Sequence, residues 1–178
     1  DVISMGGTFL RLVDQGHEVH VAYQTSGNIA VFDEEVVRFA DFYVDLKNNY
    51  EDLPANTNSL YKKVLQAIND KKSGEIDNDI VQHIKSLIRR GEAKAACRYV
   101  GIPDEHVHFL DMPFYETGAI EKKPIGDADI EIITKLITSI KPDQIYAAGD
   151  LSDPHGTHRV CLDAIFKSIK LLKKSSFM

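Results

Sequence analysis

A three-layer, Rossmann-like α/β fold, with a mostly parallel sheet covered by helices on both faces, is what this sequence predicts. Three observations carry that prediction. Short apolar runs at 19–24, 106–110 and 144–148 alternate with long amphipathic stretches, the pattern of strand–helix–strand crossovers. Polar or loop-forming residues come directly after two of these runs, at Thr25-Ser26-Gly27 and across 150–158, where a parallel sheet presents its ligand-binding edge. The chain also opens on an amphipathic stretch with no strand before it. A first strand, central in this topology, is therefore expected to be missing, and the stretch 1–178 alone is expected to be unstable.

Residues 2–13 read as a helix that Gly16 ends. The run 19–24 is short and apolar, hence a buried strand. Across 34–48 a helix is expected to turn Val36, Val37, Ala40 and Val44 inward, with Phe39 and Tyr43 beside them. Residues 50–57 are polar with one proline and read as loop, 60–68 as a helix, and 70–74 as a break. The stretch 77–99 carries Ile80, Ile84, Leu87, Ile88, Ala95 and Tyr99, a long amphipathic helix. A strand at 106–110, a loop rich in Gly, Pro and charge at 114–126, a helix at 128–140, a strand at 144–148 and a helix at 155–173 complete the series.

A chain of 178 residues can bury one core, so a single domain is expected. The net charge of −6 argues against nucleic acid, whose phosphates need a basic face. The lysines of 167–174 read as the solvated face of a terminal helix. Only Cys97 and Cys161 occur, far apart and within helical patterns, which fits a reduced, cytoplasmic protein rather than a disulfide or four-cysteine zinc scaffold. No apolar run approaches membrane length, and no Gly-x-Gly-x-x-Gly or Walker-type loop offers a nucleotide cradle.

The chemistry concentrates in Asp153-Pro154-His155-Gly156-Thr157-His158-Arg159. At helical spacing His155 and His158 share one face, where one ring can hold a metal while the other handles protons or polarises a carbonyl. The plain alternative is a helix-start pair facing water, with Asp153 as an N-cap before Pro154. His17, His20, His83, His106 and His108 show no ligand spacing with one another and read as structural or exposed.

The opening Asp1-Val2-Ile3-Ser4-Met5-Gly6-Gly7-Thr8 resembles the segment just downstream of the His-Pro-Asp-Asp signature in the PIG-L/LmbE family of zinc-dependent de-N-acetylases. Asp1 then matches the acidic residue closing that signature, and the zinc-binding His and Asp and the general-base Asp are expected upstream. The resemblance continues through 17–28, which ends in a Thr-x-Gly-like loop, and through Arg89-Arg90-Gly91-Glu92-Ala93 with Tyr99-Val100-Gly101-Ile102. It extends over 106–113 and from Pro142 to His158, the His-x-x-His motif. The wording of these motifs is similar to the LmbE-like domain fused behind a glucosamine-6-phosphate deaminase (isomerase) domain in some bacterial proteins. The stretch 1–178 is then one LmbE-like domain that begins inside its first metal motif and is cut short near Met178.

The resemblance implies metal-dependent hydrolysis of the acetamide of an N-acetylglucosamine-type sugar, in amino-sugar metabolism. It implies Zn2+ held in part by His158 and an oxyanion donor or proton donor in His155. It also implies a substrate arginine in Arg89, supported by Glu92, and a substrate loop at Thr25, Ser26 and Gly27. Two departures stand out. Thr157 occupies the place of an Asp that orients the first His, leaving Asp153, Asp150 or no charged group for His155. Phe114-Tyr115 come after Pro113 where the family has Asp-Gly, with Tyr115 and Glu116 as substitutes. The alternative is a non-catalytic sugar-binding, regulatory or scaffold domain of a deaminase-like protein. The expected partners are a small amino-sugar and a fused deaminase domain, with no nucleic acid and no membrane, and self-association is left open. With one ligand of three, residues 1–178 alone are expected to bind zinc poorly and to be inactive.

Overall fold

The computed structural model describes residues 2–50, 57–148 and 156–175. In chain order these form α1 (Val2–Asp14), β1 (Val21–Tyr23), α2 (Asp33–Asn49), α3 (Thr57–Asp70), α4 (Asp79–Tyr99), β2 (Val107–Phe109), α5 (Asp127–Ile140) and α6 (Thr157–Ser175). Short 3-10 turns at Asn28–Ala30 and Asp104–His106 come after β1 and before β2. The architecture is mixed α/β with a small parallel sheet. β1 and β2 pair in the register Val21↔Val107, Ala22↔His108 and Tyr23↔Phe109. Hydrogen bonds from Leu110 N to Tyr23 O (2.9 Å) and from Met112 N to Gln24 O (3.0 Å) carry the pairing past the ladder.

The chain divides into two compact units. The first comprises 1–26, 93–117 and 121–178. Its core gathers Phe9, Val21, Cys97, Val100 and Ile102, with Met5, Val13, Val19, Tyr23 and Val107 packed against them. α4 closes in a turn that needs Gly101, at φ 86°, where Ile102 N bonds to Cys97 O at 2.9 Å and Gly101 N to Arg98 O at 3.1 Å. A Cβ at Gly101 would also stand 3.2 Å from Val13 Cγ1. α5 and α6 pack together, and the buried Ser168 hydroxyl joins them by donating to Ala164 O and Ile130 O at 2.9 and 3.1 Å.

Asp129, only 2% exposed, ties the 113–126 loop to the start of α5. Its two carboxylate oxygens accept from Phe114 N at 3.0 Å and from Gly126 N at 2.9 Å. Asp129→Ala would strand both N–H groups and should cost about 2 kcal/mol, given the strength of hydrogen bonds to charged acceptors. Urea denaturation of the two forms measures the loss.

The second unit comprises 27–92 and 118–120. Val31, Val36, Val64, Val81 and Ile88 form its core, with Ala40, Ala67, Ile68, Ile80 and Ile84 around them. Within it lies a cluster of charges. Lys85, 5% exposed, places Nζ 2.7 Å from both Asp33 Oδ1 and Asp77 Oδ2, while Lys71 Nζ reaches Asp77 Oδ1 at 2.7 Å and also pairs with Asp33.

The structure departs from the sequence reading at three points. Phe39 and Tyr43 are 43% and 38% exposed rather than inward. On α4 Ile80, Ile84 and Ile88 pack in or against the core as expected, but Leu87 and Tyr99 are 50% and 88% exposed, and Val81, Lys85, Ala93 and Cys97 are buried beside them. The run 144–148 forms no ladder among the described residues, and its Ile145 and Tyr146 stand 42% and 51% exposed. An apolar run supplies the burial a strand needs but not the neighbour that completes its hydrogen bonds.

Candidate functional site

In a parallel sheet the functional edge is the C-terminal one, and here it is built by the residues after β1 and β2. Beyond β1 run Gln24, Thr25 and the buried Ser26. Beyond β2 run Asp111, held at φ 44°, and the buried Met112, Phe114 and Tyr115. Ser26 N–H donates to Glu116 Oε1 at 2.9 Å, so Glu116 locks the two segments together. Tyr115 lies under the Lys122 ammonium, whose Nζ is 4.1 Å from the ring centroid. Burial pushes the Lys122 ammonium below its ordinary pKa, and the charge of Glu116 opposes this. Phe114 is turned into the core at 1% exposure, so its side chain does not take the place of the family's substrate contact.

In the other unit, Gly27 and Arg89 meet. Gly27 sits at φ 69°, and a Cβ there would stand 3.2 Å from Arg89 Nε. A side chain here would be strained at this φ and would push the Arg89 side chain aside by a few tenths of an ångström. Arg89 Nη1 donates to Glu92 Oε2, the support expected for that arginine, and the guanidinium remains half exposed. Thr25 and Ser26 belong to the first unit, and Gly27 and Arg89 to the second.

His158 lies in the first turn of α6 and is exposed, and Thr157 opens the helix. Asp150, Asp153 and His155 fall outside the described residues, as does most of the segment expected to meet residues 25–27 on one rim. His158 is the one described residue that the family pattern assigns to the metal. One imidazole does not hold zinc against water, since a catalytic zinc takes three protein ligands.

A second group of side chains collects at the opposite, N-terminal edge of the sheet. The histidines expected to be unrelated are brought together there. His20 Nδ1 lies 3.0 Å from His108 Nε2, and His20 Nε2 lies 3.0 Å from Glu18 Oε1. The His20 ring stacks on those of His106 and His108, with centroids 4.0 and 5.2 Å away. The His20 hydrogen bond, aided by the charges of His106 and His20, holds the Glu18 carboxyl below its usual pKa. Burial, then the charges of His20 and His106, pushes His108 below the ordinary histidine value. The signal was in the sequence as Glu18-x-His20 and His106-x-His108, two pairs at the entries to the two strands. It becomes readable only once the register is known.

The comparisons with known proteins agree with the motifs. Residues 1–169 match PIG-L, GlcNAc-PI de-N-acetylase. A glucosamine-6-phosphate deaminase-like protein of Bacteroides thetaiotaomicron is 56% identical over 177 residues, 98% of this chain. The chain spans only 26% of that relative's length. No solved structure matches. Among the described residues, no helix is long and apolar enough to cross a membrane. Since the match covers nearly all of the 178 residues, the chain belongs to the PIG-L family of de-N-acetylases.

Proposed function

We propose that this chain hydrolyses the acetamide of an N-acetylglucosamine-type sugar, releasing acetate and a free amine. The match to PIG-L over residues 1–169 carries this reading. His155 donates a hydrogen bond to the oxyanion of the tetrahedral intermediate or supplies the proton that the leaving amine needs. Asp153 orients His155, in the role that Thr157 cannot fill. Thr25, Ser26 and Gly27 form the wall beside the sugar, and Arg89 hydrogen-bonds its vicinal hydroxyls with a planar fork of donors. His158 is proposed as a ligand of Zn2+, whose remaining ligands are not among the residues described at this edge.

The proposal extends to the setting. The chain is one domain of a three-layer Rossmann-like fold, acting in the cytoplasm within a larger protein that joins it to a deaminase domain. The relative's size and its deaminase-like name support the fusion. A sugar-binding or scaffold role without chemistry is the second reading, favoured by Thr157 and by the burial of Phe114 after Pro113.

Acetate release from N-acetylglucosamine and from its 6-phosphate, measured on the intact protein, tests the reading. Absence of release from both, with sugar binding retained, would establish the second. Arg89→Ala should raise KM roughly tenfold while changing kcat little, because a contact to remote hydroxyls binds ground and transition states alike. Steady-state kinetics on the two forms separate the constants.

A further inference from the structure

We propose that Glu18, His20 and His106 form a second metal site, for a borderline divalent ion such as zinc, at the N-terminal edge of the β1–β2 pair. The register creates it. Val21 lies opposite Val107, so His20 and His106, each one residue before its strand, are neighbours across the pair. Glu18, two residues before His20, brings its carboxylate to His20 Nε2 at 3.0 Å. The three residues offer ligand atoms that all lie within 4.8 Å of one another. Tetrahedral zinc with bonds near 2.1 Å requires ligand separations of about 3.4 Å, so the cluster must contract. The Glu18–His20 edge, at 3.0 Å, is slightly shorter than this and has to open by a few tenths of an ångström.

The side chains can make that adjustment. Glu18 is 75% exposed on its side chain and precedes the strand, so its carboxylate is free to swing. His106 ends a 3-10 turn, and its ring has only to slide off the stacked His20 ring. His20 Nε2 faces Glu18 Oε1 at 3.0 Å. An ion on His20 Nε2 would take the tautomer with its single ring proton on Nδ1, where His108 Nε2, 3.0 Å away, can accept it. A ligating histidine whose second nitrogen is held by a neighbour is the usual arrangement around protein-bound zinc.

The donor set selects the ion. Two imidazoles and one carboxylate suit zinc, nickel or copper, whereas magnesium and calcium take oxygen donors. The ion would join the segment before β1 to the turn before β2, stapling a ladder of only three paired positions. The site lies at the opposite end of the strands from Thr25, Ser26 and Glu116, so it is separate from the acetamide chemistry and does not depend on it.

Zinc titration of the intact protein, followed by bound-metal mass spectrometry and thermal unfolding, decides the matter. The wild type should take up one equivalent of zinc that persists in His158→Ala. At about one hundred times the dissociation constant that equivalent should raise the melting temperature by roughly 5–10 °C. Glu18→Gln and His106→Asn should each lose this equivalent and the thermal shift, while acetate release stays at the wild-type rate. Magnesium should give no shift. If both variants keep the wild-type stoichiometry and shift, the cluster is a hydrogen-bond network only and the proposal fails. If His106→Asn does not fold, Glu18→Gln decides alone, since that side chain is largely in solvent.

Discussion

His155→Ala in the intact protein should lower acetate release on the order of 10²–10³-fold while leaving the metal in place, the loss expected for one oxyanion donor. His158→Ala should lower release and remove one equivalent of metal. The division comes from the family pattern, which assigns only the second of the two histidines to the ion. Bound metal and acetate, measured on each variant, separate the roles. Loss of metal in His155→Ala with retention in His158→Ala would reverse the assignment. No change in either variant would reduce the motif to a solvated helix start and end the enzymatic reading. The second metal cluster sharpens this test. Total zinc no longer reports on His158 alone, so each count must be paired with the Glu18→Gln control.

The largest stability effect should come from Lys85→Met. That ammonium is 6% exposed and serves Asp33 and Asp77 at 2.7 Å each. Removing it leaves two carboxylates sharing Lys71. Breaking a buried ion pair from one side costs about 3–5 kcal/mol, and the low end, about 3 kcal/mol, applies because Asp33 and Asp77 keep 25% and 15% of their exposure. The pH dependence has a definite sign. Burial pushes the Asp33 pKa up, but the hydrogen bonds and charges of Lys71 and Lys85 outweigh it, so the net shift is downward. That contribution is full above the unfolded carboxylate value near 4 and is lost as pH falls through the folded value. Lys71 is also desolvated, yet Asp33 and Asp77 hold its pKa above the ordinary lysine value. Its contribution is full below roughly pH 10 and fades as pH rises through the folded value. Denaturation of wild type and Lys85→Met should therefore differ most between about pH 5 and pH 9. A constant difference down to about pH 2 would show that packing, not charge, sets the cost.

What the sequence revealed depended on the range of the interaction. α1 and α5 were legible within a residue or two, because local spacing and turn residues mark them. The family was legible because its motifs are local words in a fixed order. On α4 the isoleucines at 80, 84 and 88 were legible as core-facing, but the burial of Lys85 was not, because a lysine reads as solvent-facing until its partners at positions 33 and 77 are known. Gly27 and Arg89 were each singled out from motifs, but their contact became visible only in the fold. The histidine cluster was hidden altogether, since it depends on pairing residues from distant parts of the chain.

The division into units bears on the order of folding. The chain leaves the first unit after Ser26 and re-enters it at Ala93, so most of the second unit is an uninterrupted excursion between the partners of the sheet. His20 and His108, neighbours at the start of the parallel ladder, are 88 positions apart. Closing a loop of that length in a disordered chain costs about 4 kcal/mol in entropy, before any ladder bond forms. If the excursion has already condensed around Val36, Val64 and Val81, it no longer contributes its full contour length and the closure penalty falls. Residues far from the strands thus set the rate at which the strands find each other, and weakening the Lys85 cluster would delay the ladder without touching it.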